Sequence, residues 1–112
     1  MFIHKFLLFT LLVIPAAAQD AAMVNPKIVK IEFENDKVRV LRAIYKPHDR
    51  LGMHSHPAKA EVQVTDGTLR ISTPDGKGRD DPGKAGQFFW LEPIRHAVEN
   101  TGTLQWNWSK LK

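Results

Sequence analysis

Three neighbouring positions carry the most chemical potential in this chain: His54, Ser55 and His56. In an extended strand, residues i and i+2 leave from the same face, about 6–7 Å apart along the chain. Two imidazoles at that spacing can converge on one ion, with nitrogen–metal distances of about 2.1 Å. Pro57 ends the run, the chain turns back through Ala58 and Lys59, and Glu61 then offers a carboxylate beside the two rings. A third imidazole, His96, stands far along the chain. There are no cysteines, so thiolate ligation and cysteine nucleophiles are excluded. Any transition-metal site must be built from imidazole and carboxylate. Taken alone, His54 and His56 would equally suit a hairpin of surface histidines, and His96 an ordinary buried ring. His48, within Lys46-Pro47-His48-Asp49-Arg50, reads as a solvated loop residue placed where it can reach a site's rim.

Such residues must be held by strands. From Lys27 onward the pattern is β: Lys27 to Glu34 alternates, and between Val38 and Tyr45 both parities are partly apolar. Two apolar faces are what a sandwich needs when one face meets a second sheet or a subunit. Further short runs cover Met53 to His56, Ala60 to Thr65, Thr68 to Thr73, Gln87 to Leu91, Arg95 to Val98 and Leu104 to Leu111. Between them lie dense turn signals, among them Asn35-Asp36, Asp66-Gly67, Pro74 to Gly78, Pro82-Gly83, Gly86 and Asn100 to Gly102. Many short strands with no 3.6-residue apolar period predict an all-β antiparallel sandwich or barrel.

Length and composition set the frame. The 112 residues allow one domain. Met1 to Lys5 carries one Lys, Phe6 to Ile14 is apolar apart from Thr10, Pro15 breaks the run, and Ala16 to Ala18 are small. That is the layout of a secretory signal peptide, since the apolar run falls short of the ~20 residues a spanning helix requires. Cleavage near Ala18 would leave 94 of the 112 residues, and since Lys5 is the only charged residue removed, 15 basic against 12 acidic ones. The expected product is periplasmic or secreted, with no membrane segment in its mature form. It begins with an arm over residues 19–26 that is flexible or ordered on contact, followed by a single β domain over residues 27–112. No basic stripe is interleaved with aromatic residues, which argues against nucleic acid as a partner. A domain this small without disulfides gains from a metal or a partner subunit.

Two stretches resemble a known family. GMHSHPAKAEVQVTDG, from Gly52 to Gly67, is similar to the first cupin motif, H-x-H followed by Glu and then Gly. GQFFWLEPIRHAVEN, from Gly86 to Asn100, is similar to the second, G…P…H-x-x-x-N. The resemblance is to small single-domain cupins of the RmlC-like, type-2 kind. It implies a jelly-roll β-barrel holding one divalent metal through His54, His56, Glu61 and His96, with Gly67, Gly86 and Asn100 at turns and strand ends. Counted from His56, Glu61 stands in the ligand slot; counted back from Gly67, the slot falls on Ala60. Parity leaves both readings open. Ala60, Val62 and Val64 share one face of the strand and Glu61, Gln63 and Thr65 the other, so an inward apolar set would turn Glu61 to solvent. The second motif is shortened between Pro93 and His96, while His96 keeps its spacing to Asn100.

Function divides three ways at this level. The site suits iron, manganese, nickel, cobalt, copper or zinc, and the ligand set alone does not choose. A metal-dependent dioxygenase, isomerase or similar enzyme would act on a small oxygen-bearing substrate. A periplasmic metal or small-ligand carrier would use the same residues without catalysis, and a metal-free barrel would use the histidines as pocket lining. Fold does not select among these. Imidazoles bind metal when neutral, so affinity is expected to fall below pH ~6.5. Phe88, Phe89 and Trp90 are consecutive and must face both sides of their strand, one side packing inward and the other meeting a sheet or a subunit. A homodimer is the expected assembly.

Overall fold

The computed structural model describes residues 20–111. The expected signal peptide, residues 1–18, lies outside the described residues. Among those described, no helix is long and apolar enough to cross a membrane. A one-turn helix, α1 (Ala21–Val24), precedes nine strands: β1 (Val29–Glu34), β2 (Arg39–Tyr45), β3 (Arg50–His56), β4 (Lys59–Gln63), β5 (Gly67–Ser72), β6 (Gly78–Gly83), β7 (Phe88–Leu91), β8 (Ile94–Asn100) and β9 (Trp106–Leu111).

The strands form two antiparallel sheets, ordered β1-β2-β9-β4-β7 and β3-β8-β5-β6. Consecutive strands repeatedly fall in different sheets, as in a jelly roll, and the all-β antiparallel expectation holds. Period-2 alternation explains which face is buried. Leu41, Ala43 and Tyr45 on β2 are fully inside, whereas Val40, Arg42 and Ile44 are half-buried on the other face. Leu69 and Ile71 on β5, Leu51 on β3 and Val98 on β8 supply the facing layer, and Trp106 meets Tyr45 edge-on with ring centroids 5.7 Å apart. β1 is an outer strand, and its Ile31 and Phe33 stay exposed although they add apolar weight to the sequence pattern.

Turn chemistry closes the hairpins. Asn35 Oδ1 accepts from the amides of Lys37 and Val38, an Asx turn between β1 and β2. Gly76 sits at φ 87° between β5 and β6, and Gly86 at φ 88° between β6 and β7, in the left-handed region that a side chain disfavours. Asn100, at the end of β8, is buried; its amide donates to the carbonyls of Tyr45 and Leu104, and its Oδ1 accepts from Gly102.

One element differs from what the residue pattern suggests, and another takes one of the two forms it allows. Gly78–Gly83 (GRDDPG) reads as turn sequence yet forms β6, paired along its length with β5. It is an outer strand, exposed over five of its six residues, so it has no apolar face to reveal it. Pro82 is tolerated there because an edge strand leaves some amides without a ladder partner. The other is the arm, expected to be flexible or ordered on contact, which from Asp20 onward is ordered on contact. Asp20 caps α1 by accepting from the Ala22 amide, its carboxylate pairs with Arg39, and its backbone bridges Ser55 in parallel. The helix thus lies against β3, the strand that carries His54 and His56.

Candidate functional site

The three histidines meet on one wall. His54 pairs with His96 across the β3–β8 ladder, and Ser55 with Arg95. The ring of His96 lies 4.8 Å from that of His54 and 5.0 Å from that of His56, centroid to centroid, both edge-on. All three are buried, at 2%, 3% and 9% exposure for His54, His56 and His96. Regular alternation would not produce this. Leu51 and His54 are three residues apart, so a flat strand would put them on opposite faces. The register shifts between them: Leu51 pairs with Val98 and His54 with His96, so Gly52 and Met53 together oppose Ala97. This β-bulge re-aims the strand so that both Leu51 and the histidine pair face inward.

Ring orientation is set by backbone carbonyls. His54 Nδ1 lies 2.8 Å from the Gly52 carbonyl and His56 Nδ1 2.7 Å from that of Pro57. A carbonyl only accepts, so in each ring Nδ1 carries the proton and the neutral imidazole keeps its lone pair on Nε2. Fixing a tautomer this way is the usual second contact of a metal-binding histidine.

The histidines line a cavity of about 240 Å³. Leu69, Ile71, Val98, Phe89 and Leu91 form much of its apolar wall, with Tyr45 and Trp106 also lining it. From β4 the inward parity is Lys59, Glu61 and Gln63, all lining the cavity, while Val62 and Val64 are each 42% exposed. Of the two open readings of that strand, the structure has Glu61 facing inward. Its carboxylate lies 3.0 Å from the Lys59 ammonium, and Lys59 is itself 3% exposed. Lys59 is the cavity residue that reasoning from sequence passes over; the signal for it was its shared parity with Glu61. His48 takes no part: it is exposed at φ 73° in the β2–β3 turn. Phe89 and Leu91 point inward, and Phe88 and Trp90 are 65% and 61% exposed.

The residues at hand fit a divalent ion in chemistry: three buried histidines side by side, two of them held by carbonyls in the tautomer that leaves Nε2 to ligate. Their positions stop short of a formed site, since among the described residues no group of three or more His, Asp or Glu side chains is arranged to hold a metal ion.

No protein-family model matches the chain, and no curated protein matches it. Solved structures do. A cupin domain from Bordetella pertussis Tohama I is similar with a TM-score of 0.70 at 23% identity, covering 76% of this chain and 90% of that one. A conserved protein with a double-stranded β-helix domain from Klebsiella pneumoniae aligns with a TM-score of 0.60 at 14% identity, over 89% of this chain and 87% of that one. An RmlC-like cupin family protein from Methanocaldococcus jannaschii aligns with a TM-score of 0.60 at 10% identity, over 76% and 77%. Identities this low establish the fold, and the fold is the cupin jelly roll.

Proposed function

We propose that the domain is exported after cleavage near Ala18 and binds one divalent transition metal through His54, His56 and His96, to act on a small oxygen-bearing molecule. The observation that carries this reading is the cluster of three buried imidazoles opening on a cavity, two of them with Nδ1 fixed by carbonyls. A bound metal would supply Lewis acidity and a place to orient substrate oxygens. The chain's own residues do the rest. The Gly52 and Pro57 carbonyls keep His54 and His56 turned, and Leu69, Ile71, Phe89, Leu91 and Val98 give the cavity an apolar wall beside them. At about 240 Å³ the space is below the usual range for drug-sized ligands, which selects a substrate of few heavy atoms. That space beside the imidazoles favours an enzyme of the dioxygenase or isomerase kind over a carrier of bare metal.

The same reading takes the working unit to be a homodimer joined through the outer face of β4 and β7. Val62, Phe88 and Trp90 lie together there, since Val62 pairs with Phe88 and Ala60 with Trp90. Their exposures of 42%, 65% and 61% leave an apolar patch of the kind that marks an interface. Light scattering should give twice the chain mass, and Phe88→Ser/Trp90→Ser should halve it; a monomer at high concentration contradicts the dimer.

The first test of the site is elemental analysis of the mature protein, purified from the periplasm without a tag or chelator, beside His54→Ala/His56→Ala. About one equivalent of a single transition metal, lost in the variant, is the expected result. A broad turnover screen with that metal then separates enzyme from carrier. No metal in either protein, even after incubation with candidate ions, refutes the reading.

A further inference from the structure

The residues that line the cavity divide by exposure, and the exposed ones locate its mouth. Arg79, Asp81 and Pro82 on β6, and Glu92, Pro93 and Ile94 where β7 passes into β8, line it and are open to solvent. The other lining residues are buried or half-buried. β6 and β7 each end a sheet and both contribute to the lining, so the mouth lies between these two edges. Its charges run against the local pattern. Opposed residues in an antiparallel pair share a face, and Arg79 is opposed to Ile71 and Asp81 to Leu69, both in the core. Arg79 and Asp81 therefore stand on the inner parity of β6. The outer parity of the same two strands carries a closed pair, Arg70 with Asp80 at 3.1 Å. Arg79 and Asp81 instead leave their charged ends 4.0 Å apart, at the limit of an ion pair, with side chains 66% and 57% exposed. Such a contact adds little to stability. Glu92 brings a second carboxylate to the mouth, where it accepts from the Trp90 indole at 2.7 Å.

We propose that this mouth binds the zwitterionic head of a free α-amino acid, Arg79 taking its carboxylate and Asp81 its ammonium, with a small apolar side chain passing inward. The inference names a substrate class for the small-molecule reading above; it rests on that reading for the cavity and not on a metal. A guanidinium grips a carboxylate best through two parallel hydrogen bonds, and the 4.0 Å contact with Asp81 leaves that capacity of Arg79 unused. One guanidinium and two carboxylates stand at the mouth. A ligand with only a carboxylate meets excess negative charge there, and one with only an amine meets Arg79. A zwitterion answers both signs. Inward of these charges the wall is Leu69, Ile71, Phe89 and Leu91, which suits an aliphatic or thioether side chain, and the cavity of about 240 Å³ limits its size. Inward charges on an edge strand also guard it against edge-to-edge pairing. A guard and a ligand site predict different losses, of oligomeric state for one and of affinity for the other.

The test is calorimetric titration of the mature protein, as purified and after EDTA treatment, with L-alanine, L-valine, L-leucine and L-methionine. At least one should bind in both preparations. Its deaminated acid and its decarboxylated amine, for L-leucine 4-methylpentanoate and 3-methylbutylamine, should each bind about tenfold or more weakly, the effect of losing a hydrogen bond to a charged group. Arg79→Gln and Asp81→Asn should each weaken the amino acid by a similar factor, with mass by light scattering and melting unchanged. In Asp81→Asn the deaminated acid should bind as well as the amino acid, and Arg70→Gln, on the outer face, should behave as wild type. Circular dichroism melts check the fold of every preparation; if EDTA unfolds the domain, the analogue series on the protein as purified decides. Failure of all four amino acids to bind overturns the inference, as does equal binding by the deaminated acid in the wild type. Binding lost with EDTA from a folded protein places the ligand on a metal and overturns it too. Variants that associate but keep their affinity make Arg79 and Asp81 an edge guard only. The metal reading stands or falls separately, on the elemental analysis.

Discussion

Deleting Met53 should leave the fold standing and weaken the site. Between the pairs Leu51–Val98 and His54–His96, β3 spends two residues where β8 spends one. Removing Met53 brings the count to one on each strand, so Leu51 and the histidine pair become i and i+2 and still share a face. Core packing by Leu51, which is fully buried, is retained. What goes is the local bend that sets the Gly52 carbonyl 2.8 Å from His54 Nδ1. One hydrogen bond is worth about 1 kcal/mol net, and the half-buried Met53 side chain adds part of the ~1.5–3 kcal/mol of a fully buried one. A loss of about 1–3 kcal/mol follows, and at ~4–8 °C per kcal/mol for a domain of this size the melting temperature should fall by roughly 5–20 °C. Metal affinity should fall by about 10–100-fold, the usual effect of losing the contact that orients a ligating ring. Thermal melts followed by circular dichroism give the first number and Co(II) titration the second. Deleting Ser55 instead makes the two histidines adjacent and turns one outward, which should abolish metal binding in a protein that still melts cooperatively. If deletion of Met53 unfolds the domain, or leaves metal affinity at the wild-type level, the bulge does not have the role assigned to it.

Other consequences follow from single contacts. A Cβ on Gly67 would stand 2.6 Å from the buried Trp106 ring, so Gly67→Ala should cost about 1–3 kcal/mol in urea unfolding. Asn100→Ala removes the donor from the Tyr45 and Leu104 carbonyls in a buried setting, and should cost about 1–3 kcal/mol by the same assay. Asp75 is held below its ordinary value of 3.8, first by the Thr73 hydroxyl and then by the Lys77 amide. Because the folded value is the lower one, its support of the β5–β6 turn is present above pH ~4 and is lost as pH falls through the depressed value. A carboxyl-carbon NMR titration of Asp75 should show a midpoint below that of a free aspartate, and Thr73→Ala should raise it.

The residues at this site were easier to read than their directions. His54, His56 and His96 announce themselves by type, and the central strands by alternation, because a half-buried strand must alternate. Edge strands carry no such obligation, which is why the polar run Gly78–Gly83 hides a strand that makes six backbone pairings with β5. Side-chain direction on β4 is illegible for a related reason. The sequence presents an apolar parity, Ala60, Val62 and Val64, and a polar one, Lys59, Glu61 and Gln63, and a core seeks the apolar set. The fold does the opposite: the polar parity faces the cavity, and Val62 and Val64 are left at 42% exposure. Burying a lysine and a glutamate is tolerable because each neutralises the other.

A similar inversion governs β3, and the two together explain why the cavity is polar at one wall and apolar elsewhere. On β3 the one-residue excess at Gly52–Met53 lets an aliphatic residue and two imidazoles occupy the same inner face. On β4 the ion pair lets a strand turn its apolar side away from the core. Both departures from simple alternation place polar atoms in the cavity, and each carries its own compensation, a carbonyl for each of His54 and His56 and a counter-ion for Lys59. Elsewhere the barrel follows the ordinary rule, with Leu41, Ala43 and Tyr45 inside on β2 and Leu69 and Ile71 inside on β5. Violations of local pattern that come with matched polar partners are where a fold gives up packing for chemistry. Here they converge on the three histidines, which is the physical reason to look for function at that wall.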